Sequence, residues 1–280
     1  MQNAKPIALS DLPQHSLWPA RLLGLAPWED VRRDHAKVDQ EYNLGNYKKC
    51  LDFFDHAAHK PSLQEVRRQE FGEVSTALSS RGDDLVLMDF WESYQAYYDL
   101  IAASVLPRAK GARTILELGC GYGYNLDMLR ERAQGFAYCG GEFSPNAVAL
   151  AGKLFKGDIK VEPLDLYAAA YPVLEAAEGP VVIYTAHAIE QIPDISNLFV
   201  VLVKHKDKIQ EVIHCEPVQG LQGDSLLGLL RRSYTNACDY NRNLIEELRR
   251  RDDIEILEAT PNVFGVNAFN ATSVIRWRFK

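Results

Sequence analysis

The chain has 280 residues, 47% hydrophobic and 25% charged, with a formal net charge of −7. This is ordinary globular composition, which excludes a disordered or fibrous chain and leaves room for one large domain, or for one of ordinary size with a helical extension. The negative charge speaks against a general attraction to nucleic acid or to an anionic membrane surface, so the expected partner is a small molecule. Residues 1–110 read as helical, with segments at Asp30 to Phe54, Leu63 to Leu78 and Phe90 to Leu106 and no convincing alternating strand. In the last segment Trp91, Tyr94, Tyr98 and Ile101 share one helical face, either as a core stripe or as the wall of a pocket.

From Gly111 the pattern changes to short β-rich runs alternating with helical ones, the signature of a parallel sheet covered on both faces. The runs are Thr114 to Leu118, Ala137 to Glu142, Ile159 to Pro163, Val181 to Thr185, Ile209 to Cys215, Ile254 to Glu258 and Thr272 to Phe279. Helices fit between them at Tyr124 to Arg132, Pro145 to Lys153, Ile195 to Val203 and Leu226 to Arg250, the last broken into two. The expected fold is α/β: a doubly wound, mostly parallel sheet of seven strands over residues 111–280, preceded by a helical N-terminal region over 1–110. Arg231-Arg232 and Arg249 to Arg251 fall in helical segments and read as solvated faces. No run approaches the ~18 apolar residues needed to cross a bilayer, and the start is not of signal-peptide type, so a cytoplasmic location is expected. Cys50, Cys120, Cys139, Cys215 and Cys238 are scattered and read as free thiols, and no metal-ligand spacing is evident.

The strongest local signal is Ile115-Leu116-Glu117-Leu118-Gly119-Cys120-Gly121-Tyr122-Gly123, a buried strand running into a turn of alternate glycines. Glycine suits a sharp turn where a ligand must approach bare backbone, and the next helix aims its N-terminus at the bound group. A nicotinamide-binding turn wants the spacing G-x-G-x-x-G, but Tyr124 stands at the third position and the glycine comes early, at Gly123. At the end of the second strand, Glu142 precedes Phe143 and the helix-entry pair Ser144-Pro145, placed to accept both hydrogen bonds of a ribose diol. Asp165-Leu166 follows the third strand, and Ala186-His187-Ala188-Ile189-Glu190-Gln191-Ile192-Pro193-Asp194 follows the fourth.

Taken together, E-x-G-x-G-x-G, the strand-end Glu142, Asp165 and the segment at 186–194 resemble, in order and placement, the class I S-adenosylmethionine-dependent methyltransferases. The resemblance covers residues 111–280; Gln191 departs from it, standing where the family often has histidine. It implies S-adenosyl-L-methionine as cofactor, held by Glu117, Gly119, Cys120, Gly121, Gly123, Asn125, Glu142, Phe143, Ser144, Asp165, Leu166, Thr185, Ala186 and His187. The implied activity is methyl transfer to an oxygen or nitrogen of a small acceptor such as a sugar, an amino acid or a secondary metabolite. His187, with an ordinary pKa near neutrality, is the first candidate base, and His214 and Glu216 at the end of the fifth strand are second choices.

Acceptor choice is expected to lie with the N-terminal helices and with Leu221 to Asn243, folding as a lid, and with the loop Pro261 to Ala271. Tyr94 and Tyr234, with Trp18, Arg33 and Tyr42, are candidate acceptor contacts, with ordinary packing as the competing reading for each. The oligomeric state is open, a homodimer being one option. Competing functions are a degenerate partner protein that has lost catalysis, a nicotinamide oxidoreductase, and aminopropyl transfer from decarboxylated cofactor. The last would want paired aspartates after the fourth strand, where the chain has Thr185-Ala186-His187.

Overall fold

The computed structural model describes residues 4–28 and 32–280. The N-terminal region runs β1 (Lys5–Pro6), α1 (Leu12–His15), α2 (Trp18–Leu22), α3 (His35–Val38), a π-helical segment (Asp39–Tyr47), α4 (Lys48–His56), α5 (Leu63–Phe71), β2 (Thr76–Arg81), β3 (Asp84–Asp89) and α6 (Phe90–Val105). There follow β4 (Thr114–Leu118), α7 (Tyr124–Arg132), β5 (Ala137–Glu142), α8 (Pro145–Phe155), β6 (Lys160–Pro163), α9 (Pro172–Ala176) and β7 (Val181–Ala186). The chain ends with α10 (Ser196–Leu202), β8 (Ile209–Glu216), α11 (Leu226–Ala237), α12 (Leu244–Arg250), β9 (Ile254–Phe264) and β10 (Thr272–Phe279).

The seven-stranded sheet has the order β6-β5-β4-β7-β8-β10-β9. Strands β4 to β8 are mutually parallel, and β10 is antiparallel to both β8 and β9. This is the doubly wound, mostly parallel architecture expected. Alternation along the strands explains its two faces. Ile115, Val182 and Tyr184 enter one core with Tyr97, Ile101 and Val105 of α6, while Leu116, Leu118 and Ile183 enter the other with Phe199, Leu248 and Trp277. Strand order reverses beside β4, and in such sheets ligands bind beyond the carboxyl ends of the strands at that point.

The N-terminal helices are present, but the expectation of no strand there is corrected. β1, β3 and β2 form a three-stranded antiparallel sheet. Its pattern escapes a period-two search because adjacent residues are buried together, Ser79 with Ser80 and Leu85 with Val86. The helix expected to reach Leu78 stops at Phe71, where Gly72 turns to a φ of +70. The segment expected at Asp30 to Phe54 begins outside the described residues; its described part is α3, the π-helical segment and α4. Arg231 of α11 ties the small sheet to the large one, donating to Ser80 Oγ, Gly82 O and Ala268 O and pairing with Asp83. Among the described residues, no helix is long and apolar enough to cross a membrane.

Candidate active site

After β4 the chain turns through Gly119, Gly121 and Gly123 at φ of +77, +54 and +86. Only glycine takes these left-handed conformations freely, and crowding is the second requirement. A Cβ would stand 2.4 Å from Ala188 Cβ on Gly119, 2.7 Å from the Tyr47 hydroxyl on Gly121 and 2.9 Å from the Phe155 ring on Gly123. Glu142, buried at the end of β5, braces the turn: Oε2 accepts the Gly121 amide at 2.7 Å and Oε1 the Ser144 amide at 2.8 Å. Burial pushes its pKa up while the Ser144 and Gly121 amides pull it back. Each oxygen keeps a second lone pair, so the carboxylate can still receive a diol.

Two adjoining cavities open at this edge. The first, of about 780 Å³, is lined by Glu142, Phe143, Leu164, Asp165 and Leu166, with Tyr167, His35, Val38 and Arg33 over it. A carboxylate beside an apolar slot fits an adenosine. The second, of about 1180 Å³, runs past Cys120, Gly121 and Asn125 to Arg67 and Glu70, and is walled by Tyr94, Tyr97, Tyr122, Ala186, Glu190, Asn267 and Asn270. Gly119, Tyr42, Tyr47 and His187 border both, so the seam between the lobes lies among these four.

The roof is the π-helical segment. Its register frees Asn43, whose Oδ1 accepts Ser144 Oγ at 2.7 Å and the Asn146 amide at 3.1 Å, while its carbonyl accepts Asn146 Nδ2 at 3.0 Å. The roof is thereby pinned to the loop that carries Glu142. Such wide turns recur at functional sites. Arg33 holds the near end, its amide donating to Asp239 Oδ2 at 2.9 Å and its guanidinium pairing with Glu41 at 2.5 Å.

His187 has a φ of +53, a strained conformation for a residue with a Cβ. Its Nδ1 lies 3.0 Å from Glu190 Oε2 and its Nε2 2.7 Å from Thr272 Oγ1. Burial works against the imidazolium, but the Glu190 carboxylate, with Glu216 behind it, outweighs that and raises the His187 pKa. Glu190 is held in turn by Gln191 Nε2 at 2.8 Å and Asn270 Nδ2 at 3.1 Å. These bonds fix both amides, and among the described residues neither Gln191 Oε1 nor Asn270 Oδ1, both buried, has a hydrogen-bond partner. Buried amide oxygens left in this way are free to accept from a ligand.

Of the candidate site residues named from the sequence, Gly119, Cys120, Gly121, Asn125, Glu142, Phe143, Asp165, Leu166, Ala186, His187, Arg33, Tyr42 and Tyr94 line these cavities. The others do not, for identifiable reasons. Glu117 is fully buried behind the turn, where its oxygens accept Asn125 Nδ2 at 2.8 Å and the Tyr184 hydroxyl at 2.9 Å, and burial pushes its carboxyl up to about 8. Gly123 faces Phe155 and Val161, and Ser144 caps α8 by accepting the Ala147 amide at 3.2 Å. Thr185 turns inward to His214, Oγ1 to Nδ1 at 3.0 Å.

His214 is no base at the reacting centre: it is wholly buried, its Nε2 accepts the Trp277 indole N–H at 3.0 Å, and burial lowers its pKa to about 3. Glu216 touches neither cavity either. Its oxygens take the amides of Ala188 and Ile189 at 3.0 and 3.2 Å, so it anchors the loop that presents His187. Tyr234 and Trp18 pack on each other, ring centroids 4.5 Å apart, in a separate core with Phe269. None of residues 221–243 lines either cavity, whereas the 261–271 loop reaches the second through Val266, Asn267 and Asn270. Sequence reasoning passed over Arg67, Glu70, Tyr47 and Tyr97; the one available sign was the three-residue spacing of Arg67 and Glu70 on a helix.

A family model described as a methyltransferase domain matches residues 90–205. Among solved structures, a single-residue variant of MtNAS aligns at 13% identity and a TM-score of 0.52, covering 96% of this chain and 81% of that one. The same variant in complex with S-adenosylmethionine aligns at 13% and 0.52, over 89% and 76%. The plantazolicin methyltransferase BpumL, in complex with a monoazolic desmethylPZN analogue and SAH, aligns at 11% and 0.45, over 88% and 98%. No curated protein sequence matches the chain. The fold is that of the class I methyltransferases, as the motifs implied, and residues 90–205 match a methyltransferase domain.

Proposed function

We propose that the chain is an S-adenosylmethionine-dependent methyltransferase that modifies an oxygen or nitrogen of a small-molecule acceptor. Residues 111–280 supply the cofactor fold and residues 1–110 the roof and much of the acceptor lobe. The observation that carries the reading is His187 at the seam: an imidazole bordering both lobes, backed by the buried carboxylate of Glu190. When bound, S-adenosylmethionine supplies an electrophilic methyl group on a sulfonium. The chain's own residues do the rest by positioning. Glu142 holds the ribose end, Phe143, Leu164 and Leu166 enclose the base, and the tyrosines of the second lobe exclude water and align the acceptor. With Glu190 on Nδ1, His187 takes the acceptor proton at Nε2, where the acceptor replaces Thr272 Oγ1, and Glu190 stabilises the imidazolium that forms. A small molecule fits better than nucleic acid because Glu70, Glu190 and Glu142 face the cavities and repel phosphate.

Isothermal titration with S-adenosylhomocysteine, run beside NAD, tests the cofactor class without knowledge of the acceptor. Saturable binding of the first alone supports the reading; binding of NAD, or of neither, overturns it. In an acceptor screen with methyl-labelled cofactor, His187→Asn should lose about 10²–10⁴-fold in turnover with little change in S-adenosylhomocysteine affinity.

A further inference from the structure

The second lobe contains a charged pair that none of the motifs accounts for. Arg67 and Glu70 lie one helical turn apart on α5, outside the matched residues 90–205, and both side chains are nearly buried, at 12% and 13% exposure. Arg67 is locked in place. Its guanidinium carbon lies 4.5 Å from the Phe71 ring centroid and 4.6 Å from that of Tyr124, Nε donates to the Tyr98 hydroxyl at 2.9 Å, and Nη1 pairs with Glu70 Oε2 at 2.7 Å. Glu70 Oε2 also accepts the Tyr122 hydroxyl at 2.6 Å, which ties the pair to the residue beside Gly121. Arg67 also interacts with the Tyr122 hydroxyl, while the bonds that Glu70 makes here all fall on Oε2 and leave Oε1 for a ligand.

We propose that Arg67 and Glu70 clamp the α-amino-acid end of the cofactor, Arg67 taking its carboxylate and Glu70 its ammonium. This rests on the cofactor reading above and specifies how the second lobe uses it. Charge leaves little choice for the carboxylate. Of the described residues lining that lobe, Arg67 is the one permanent cation, while Glu70, Glu190 and the neighbouring Glu142 would repel a carboxylate. A guanidinium stacked on two rings presents its remaining edge without loss of side-chain freedom, and a charge-assisted bond to a carboxylate follows. The N-terminal region then belongs to the cofactor site as well as to the acceptor lobe, because α5 supplies both charges.

The test is titration of the full chain with S-adenosylhomocysteine, its decarboxylated analogue, its deaminated analogue and 5′-methylthioadenosine, which lacks the whole amino-acid end. Wild type should bind S-adenosylhomocysteine at least about tenfold more tightly than the decarboxylated analogue, as a charged hydrogen bond implies. Arg67→Gln should bring that ratio to about one, Arg67→Lys should retain part of it, and Glu70→Gln should remove the preference over the deaminated analogue. Affinity for 5′-methylthioadenosine should stay within about twofold in every variant, which shows an intact adenosine lobe. An unchanged ratio in Arg67→Gln would overturn the proposal, as would a parallel loss of 5′-methylthioadenosine binding, which marks a merely structural role. Equal wild-type affinity for S-adenosylhomocysteine and 5′-methylthioadenosine would sink the clamp and leave the cofactor reading standing, whereas binding of neither would remove that reading itself.

Discussion

Gly121→Val is the sharpest single test of where the cofactor turn lies. At a φ of +54 a side chain of any kind costs about 1–2 kcal/mol, and a β-branched one sits at the upper end. The new Cβ would lie 2.7 Å from the Tyr47 hydroxyl, so the roof must shift or the turn must open. Either movement displaces the amide that Glu142 Oε2 accepts at 2.7 Å and spoils the carboxylate meant for the ribose. Loss of one such charged hydrogen bond is worth about 1.5–3 kcal/mol, or roughly tenfold to a hundredfold in affinity for S-adenosylhomocysteine. Gly135→Ala is the control, since Gly135 has a φ of +93 and nothing within 4 Å of its Cβ position. It should lose similar stability with unchanged affinity. Calorimetric titration alongside a thermal melt separates the two effects, and a folded Gly121→Val protein with wild-type affinity would refute the placement.

Glu142→Gln turns one carboxylate oxygen into a donor that must face the Gly121 or the Ser144 amide, itself a donor. A destabilisation of about 1–3 kcal/mol with weakened S-adenosylhomocysteine binding is expected from melts and titration. His214→Leu leaves the Trp277 indole N–H without its acceptor and should cost a similar amount of stability, yet leave S-adenosylhomocysteine affinity within about twofold; a large loss of affinity would return His214 to the site. Burial raises the Glu117 carboxyl from 4.5 to about 8, so between these values the folded state holds a proton that the unfolded state has released. Stability then falls as pH rises through that window, by up to about 1.4 kcal/mol per unit. Melts from pH 5 to 8 should show the decline, to which Glu142 and Glu216 contribute in the same direction, and Glu117→Gln should make it shallower.

The sheet was legible because its signals are local. Strand runs, the glycine turn and the acids after successive strands each report one element, and a fixed topology brings them to one edge. The glycines and Glu142 could be placed from sequence because backbone conformation and strand ends dictate them. Side-chain direction was not legible. His187, His214 and Glu216 all stand at strand ends, yet only His187 faces the cavities, because its left-handed backbone and the Glu216 anchor turn it outward while His214 points to Trp277. The roof was missed for a different reason. Asp39 to Tyr47 carries a helical pattern, and nothing local announces the wider π register that sends Asn43 to Ser144, about a hundred residues onward in the chain. Tyr234 stayed open between packing and acceptor contact because an aromatic on a helix reads the same whether its partner is a ligand or Trp18.

The acids at this edge carry an argument of their own. Glu142 and Glu216 end β5 and β8, Glu117 is the last residue but one of β4, Glu190 follows β7, and all four are buried. Apolar side chains would pack there without desolvation cost, whereas carboxylates at such depth destabilise the fold, as the raised pKa values of Glu117, Glu142 and Glu216 record. Among the described residues lining the cavities, Arg33, Arg67 and the imidazoles of His35 and His187 are the groups that can offset them. Such a floor favours a ligand bringing positive charge, as a sulfonium does, and disfavours the pyrophosphate of a nicotinamide dinucleotide, whose two negative charges would have to lie on the same glycine turn. Glycine spacing and the acid after β7 therefore both speak against the dinucleotide, whereas Glu142 would serve the ribose of either cofactor. A Gly-turn variant with restored G-x-G-x-x-G spacing should still fail to bind NAD while Glu190 remains, and NAD binding by such a variant would show that spacing alone had decided the cofactor.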